Sequence, residues 1–187
     1  MGEIKIVRSE VDGDVVGGNK YQIVISQSVP NPEVLRGAIE RITALSEEDE
    51  EFQDFLDGYN FFVFDKAGRN VIGLEEKLRL GGRDDLLEEA FEKKDRFVKK
   101  VMKGQLTRRR QYIYFYILQK IQSAFDSQIK PLFKIGVDNV SVDAAIYKEI
   151  VCSVHSEVVQ IDPSIDQHLI SGMLFFLTGR CVLKWQV

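Results

Sequence analysis

The chain has 187 residues, is 44% hydrophobic and 29% charged, and carries a formal net charge of −4. That make-up suits one globular domain, or one domain with a small appendage, able to bury a sizeable core. It excludes a nucleic-acid binder that uses its whole surface, since such a protein would be strongly basic. The longest uninterrupted apolar run, Tyr112 to Leu118, is far shorter than the roughly 20 residues a membrane helix needs. No membrane association is therefore expected. Charges from Glu3 and Lys5 onward argue against a secretory signal, and Cys152 and Cys181 make no disulfide framework. The expected location is cytoplasmic.

Charge is unevenly spread. Between Glu33 and Asp57 nine acids face only Arg36 and Arg41, and between Glu92 and Arg110 nine bases face only Glu92 and Asp95. Blocks of opposite sign can pair with each other or with another subunit, and the basic one can meet nucleic acid.

Residues 1–29 stand apart from the rest. Ile4–Val7 and Tyr21–Ile25 have strand character, and Asp12-Gly13 and Gly17-Gly18 supply turn chemistry between them. A short β-hairpin appendage is expected there, followed by a helical domain over residues 30–187. A two-stranded hairpin is marginal alone in water, so it should pack on the body or on a partner.

After Pro30 the pattern becomes helical. Asn31 is a suitable N-cap with Pro32 in the first turn, and Leu35, Ala38, Ile39, Ile42 and Leu45 mark one face. Ser46 is read as the cap of a second helix, with Phe52, Phe55, Leu56 and Tyr59 as its stripe. From Phe61 to Gly73 the pattern fits either a helix or a strand. A short helix from Gly73 to Leu78 is ended by Gly81-Gly82. A long one follows from about Asp84 to Lys103, with Leu87, Ala90, Phe91, Val98, Val101 and Met102 inward and Gly104 as its break. The next, from Thr107 to Ile129, is apolar nearly all round and reads as the centre of the domain, with Pro131 ending it. Ile146, Ile150, Val154 and Val158 recur every fourth residue between Ser141 and Gln160. Ser164 to Gln167 reads as a capping box opening the last helix. The expected fold is mainly α, a compact domain of six or seven helices.

Residue patterns that could carry chemistry are sparse. Gly13 to Gly18 lacks the Lys-Ser/Thr ending of a phosphate loop and leads into a strand, so it reads as a turn. Asp65 followed by Glu75-Glu76-Lys77 has the loose form of a metal-dependent nuclease, in which carboxylates hold a metal and a lysine supports the attacking water. Such sites are normally built on sheets, and a solvated helix face is the simpler reading. Cys152, His155, His168 and Cys181 could in principle close a zinc tetrahedron, but their wide gaps match no compact zinc module. No catalytic centre and no cofactor are expected.

Two stretches suit binding. Lys99, Lys100, Arg108, Arg109 and Arg110 are candidates for phosphate contact, although three adjacent arginines at a helix start point in different directions. The end of the chain, Ser171 to Trp185, packs large apolar residues and the single tryptophan into its last turns. Chain ends usually fray and stay polar unless tied down. Phe175, Phe176 and Trp185 are therefore either core or the anchor of a partner interface.

Val71 to Leu78, then Gly82 to Ala90 with Lys93, then the apolar end from Gly172 to Trp185 resemble the small accessory proteins of prokaryotic ABC three-component conflict systems. The Lamassu-type defence systems match best in organisation. The resemblance covers the C-terminal ~115 residues best, and it carries over no functional residue. It implies a system of three parts: an SMC-like ABC ATPase, an effector that is often a nuclease, and a helical accessory subunit without an active site that bridges them. The alternative from the residues themselves is a DNA-binding subunit using the segment from Lys93 to Arg110.

Overall fold

The computed structural model describes residues 32–64, 72–102 and 106–185, the Met102 side chain excepted. The hairpin expected over residues 1–29, the Asn31 cap, Asp65 and the Gly104 break lie outside the described residues. Within them the chain is helical and contains no strand.

The elements are α1 (Pro32–Ala44), α2 (Glu50–Val63), α3 (Leu74–Leu80), a 3₁₀ turn (Asp84–Leu86), α4 (Leu87–Met102), α5 (Arg108–Ala124), α6 (Lys130–Lys134), α7 (Asn139–Ala145), α8 (Ser153–Val158) and α9 (Gln167–Gly179). A π-helical segment, Phe125–Ile129, joins α5 to α6, and another, Ile146–Cys152, joins α7 to α8. The described chain thus runs as seven continuous helical rods.

Several boundaries differ from the sequence expectation, each for a local reason. Asp49, rather than Ser46, stands at the start of α2, and its carboxylate accepts the Ser46 N–H at 2.6 Å. The uncertain stretch after Phe61 resolves as helix up to Val63. Asp166 caps α9 by accepting the Leu169 N–H at 2.7 Å, while Ser164 belongs to the preceding turn and bonds Asp162. Thr107, read as the first residue of its helix, instead caps α5, its side chain accepting the Arg110 N–H at 3.3 Å.

Pro131 does not end the α5 rod. In the π segment before it, the Lys130 N–H reaches back five residues to the Phe125 carbonyl. That wider turn loosens the coil just where the proline ring would clash with the carbonyl four residues back. The second π segment has a related cause. A strict four-residue repeat on a 3.6-residue helix drifts by ~40° per step. A wider turn in mid-run rotates the stripe back, and Ile150, Val154 and Val158 all end up buried.

The helix buried on every side is α9, not α5. Every residue from Gly172 to Gly179 is buried, as expected for a central helix walled in by neighbours. Its neighbours are α3, α4, α5, α8 and the second π segment. Helix α5 buries one face, Ile113, Tyr114, Ile117, Leu118 and Ile121, with α1 and α2 packed on it. The most extensive helix pair is α4 with α9. Their backbones meet at Gly172, where a Cβ would lie 2.3 Å from the Lys93 carbonyl oxygen. That closeness also corrects the inward face of α4. Phe97 is fully buried, with its ring 5.1 Å from Phe176, whereas Phe91 is exposed.

Candidate interaction site

The final turns fold back on the protein itself. After Gly179 the chain reverses through Cys181, which takes the left-handed conformation with φ 61°. The Val182 N–H returns to the Leu177 carbonyl at 3.0 Å, the closing bond of a Schellman-type helix end. This reversal delivers Trp185 onto the helix it follows. The indole stacks on Phe175 at 6.4 Å with an interplanar angle of 10°, and it lies 5.7 Å from the Phe125 ring. Phe175, Phe176 and Trp185 are thus held in the protein's own core. Trp185 and Phe175 nevertheless reach the floor of a surface groove.

That groove has a volume of about 240 Å³. Leu174, Phe175 and Trp185 form its floor, and Ile146, Tyr147 and Val151 of the second π segment form one wall. Leu86, Glu89 and Lys93 form the other, with Asp143 and Ser171 at the rim. Helix α4 brings Glu89 and Lys93 to the same edge because they are one turn apart, and the two are ion-paired.

Arg83 is the polar keystone beside this floor. Its guanidinium is buried 5.7 Å from the Trp185 ring centroid. It donates to Asp143 at 2.8 and 2.9 Å and to Asp85 at 3.2 and 3.1 Å. Burial alone would lower its pKa, but the bonds to Asp85 and Asp143 raise it further above its ordinary value. Conversely the Arg83 bond holds the Asp85 carboxyl below the usual range. Nothing in the sequence near Gly81-Gly82 marks Arg83 as buried, because its partner Asp143 lies sixty residues away.

The basic candidates are brought to different places. Arg108 lies 4.3 Å over the Phe52 ring and donates to the Leu45 carbonyl at 2.6 Å and to Glu47 at 3.0 Å. Arg109 donates to the Ile161 carbonyl at 3.1 Å, and Arg110 reaches Asp162 at 3.4 Å. Lys99 pairs with Asp95 one turn earlier on α4, at 2.5 Å. Lys100 is half-buried on the same helix, close enough to Asp166 to help hold that carboxyl below its usual range. The arginine triplet therefore ties α5 to two other parts of the fold, the α1–α2 region and the Ile161–Asp162 turn, and the Arg108–Glu47 pair joins the basic block to the acidic one.

The described members of the two metal patterns do not come together. Glu75 is exposed and paired with Arg79 at 2.7 Å, whereas Lys77 is buried and donates to the Thr178 carbonyl. Cys152 lies beside Gln167 at the start of α9 and Cys181 beyond its end, about 20 Å apart at 1.5 Å per helical residue. Among the described residues, no group of three or more His, Cys, Asp or Glu side chains is placed to hold a metal ion. Nor is any described helix long and apolar enough to cross a membrane.

A family model, C-terminal domain 9 of the ABC-three component systems, matches residues 73–185. No curated protein and no solved structure matches the chain. The match begins at the residue before α3 and ends on Trp185, so it takes in the groove, the Arg83 cluster and the whole of the folded-back end. The chain belongs to the C-terminal domain 9 family of the ABC-three component systems.

Proposed function

We propose that this chain is a non-catalytic accessory subunit that bridges an SMC-like ABC ATPase and an effector, nuclease-type in kind. The assembly would be a Lamassu-type prokaryotic defence complex acting against phage or plasmid DNA. The observation that carries the reading is the family match over residues 73–185, since a domain of a multi-component system works through its partners. The groove supports it. A concave apolar floor with a charged rim is the form of a partner-binding pocket.

The test is affinity purification of the tagged chain from its host, with mass spectrometry of what co-elutes. Recovery of an ABC ATPase with coiled-coil arms together with a nuclease-like protein is the expected result. Recovery of the chain alone would overturn it. Recovery with nucleic acid only would favour the DNA-binding alternative over the segment from Lys93 to Arg110, with the phosphate contacts made by side chains that also bond within the fold.

A further inference from the structure

We infer that the groove over Trp185 receives a bulky apolar side chain, flanked by lysine or arginine, from a segment of a partner subunit. The inference rests on the accessory-subunit reading and names the chemistry of what docks.

Size comes first. At about 240 Å³ the groove is smaller than the roughly 300–1,000 Å³ of pockets that enclose cofactors and drug-sized ligands. It suits a single large side chain, the usual anchor of a protein interface. Its floor is also preformed. Trp185 is stacked on Phe175 and flanked by the buried Arg83 guanidinium, so nothing need be ordered for an anchor to enter.

Charge then selects the partner. The two cations ion-paired at the groove are covered: the Arg83 side chain is 1% exposed and that of Lys93 20%. The carboxylates that pair with them face out, with Asp85 at 60%, Asp143 at 46% and Glu89 at 51% exposed. An incoming segment therefore meets an apolar floor edged by acids whose counter-ions lie below. Basic residues beside the anchor would be attracted, and acidic ones repelled.

The test uses the full chain co-expressed with the other components of its system. A photo-crosslinker, p-benzoyl-phenylalanine, replaces the exposed Tyr147 on the groove wall. In parallel, Glu89→Lys and Tyr147→Ala alter the two walls without touching the floor. The expected crosslink falls on a partner segment with a large apolar residue within two positions of Lys or Arg. Glu89→Lys should lower partner recovery about tenfold at low salt, with circular dichroism unchanged. A crosslink to an acidic segment or to a second copy of this chain would overturn the inference. So would an intact complex that gives no crosslink and is indifferent to both variants. If the unmodified chain recovers no partner, it is the accessory-subunit reading itself that fails, and this inference falls with it.

Discussion

The Trp185 indole N–H donates to the Thr178 hydroxyl at 2.9 Å, linking the end of the chain to the last turn of the helix before it. Thr178 passes the tie onward. Its hydroxyl donates to the Leu174 carbonyl at 3.0 Å, and its own carbonyl accepts from Lys77 of α3. One buried residue, through its hydroxyl and its carbonyl, thus fixes the Trp185 turn, α9 and α3 together.

Removing this tie should unfold the protein and not merely detach a partner. Trp185→Ala is expected to cost about 3–5 kcal/mol in urea denaturation followed by circular dichroism. Thr178→Val leaves the indole N–H buried without an acceptor and should cost about 1–3 kcal/mol. Trp185→Phe combined with Thr178→Val should cost less than the sum of the two single changes, because no donor is then stranded. A Trp185→Ala protein as stable as wild type would show that the end is held by something other than this clasp.

The space around two helical glycines predicts opposite signs for their substitution. Gly172→Ala places a methyl group against the Lys93 carbonyl, 2.3 Å away. It should force the helices apart at a cost of about 1–3 kcal/mol or more. Gly37, within α1, has nothing within 4 Å of an added Cβ. Gly37→Ala should therefore gain about 0.5–1 kcal/mol from restored helix propensity. Thermal melts of the two variants, read side by side, check this.

High pH should expose a second dependence. Burial pushes the Tyr59 hydroxyl up to about 12. Burial and then the bond from its hydroxyl to Glu157, 2.6 Å long, raise Tyr116 as well. A tyrosine whose folded pKa lies above its unfolded value near 10 contributes stability that is whole below about pH 10. That stability is lost as pH rises through the folded values. Phenolate absorbance and circular dichroism should change together above roughly pH 10. Tyrosine ionisation without loss of helix would contradict it.

The acid limb has the opposite sign. Burial alone would raise the Asp166 carboxyl, but the Leu169 N–H and Arg96 hold it below its ordinary value. Asp162 is likewise lowered by its bonds to Ser164 and Arg110, against the effect of burial. Their contribution is present above the ordinary carboxylate pKa of about 3.9 and lost as pH falls through the depressed folded values. Asp166→Asn should flatten the acid limb of a urea-midpoint profile. Asp166→Ala should in addition lose the cap, about 0.5–2 kcal/mol at neutral pH.

Arg108 should matter to stability more than its place in a basic run suggests. Arg108→Ala removes a ring contact and two hydrogen bonds that hold the α1–α2 turn to α5. A loss of about 1–3 kcal/mol is expected. Lys99→Ala breaks an exposed pair within one helix and should cost about 0.5 kcal/mol or less. Equal effects in urea denaturation would count against the structural role of Arg108.

Periodicity alone determined that the chain is mainly helical, because the spacing of apolar residues is set by the helix itself. The Gly81-Gly82 stop and the buried stripe from Ile150 to Val158 are local matters of this kind. The family resemblance was legible too, although its finer terms remain a proposal. What lies between helices was decided only in three dimensions. Phe91 and Phe97 are equally apolar, yet Phe97 is inside because α9 crosses α4 beside it at Gly172. Arg83 is buried because Asp143 arrives from another rod. The three arginines that looked like a phosphate track are distributed among Phe52, Leu45, Ile161 and Asp162. Phe175 and Trp185, ambiguous as core or interface, serve the core and also reach the floor of the groove. A side chain's neighbours along the chain set its helix, but its burial and charge partners depend on which rods pack together, and that the local pattern does not encode.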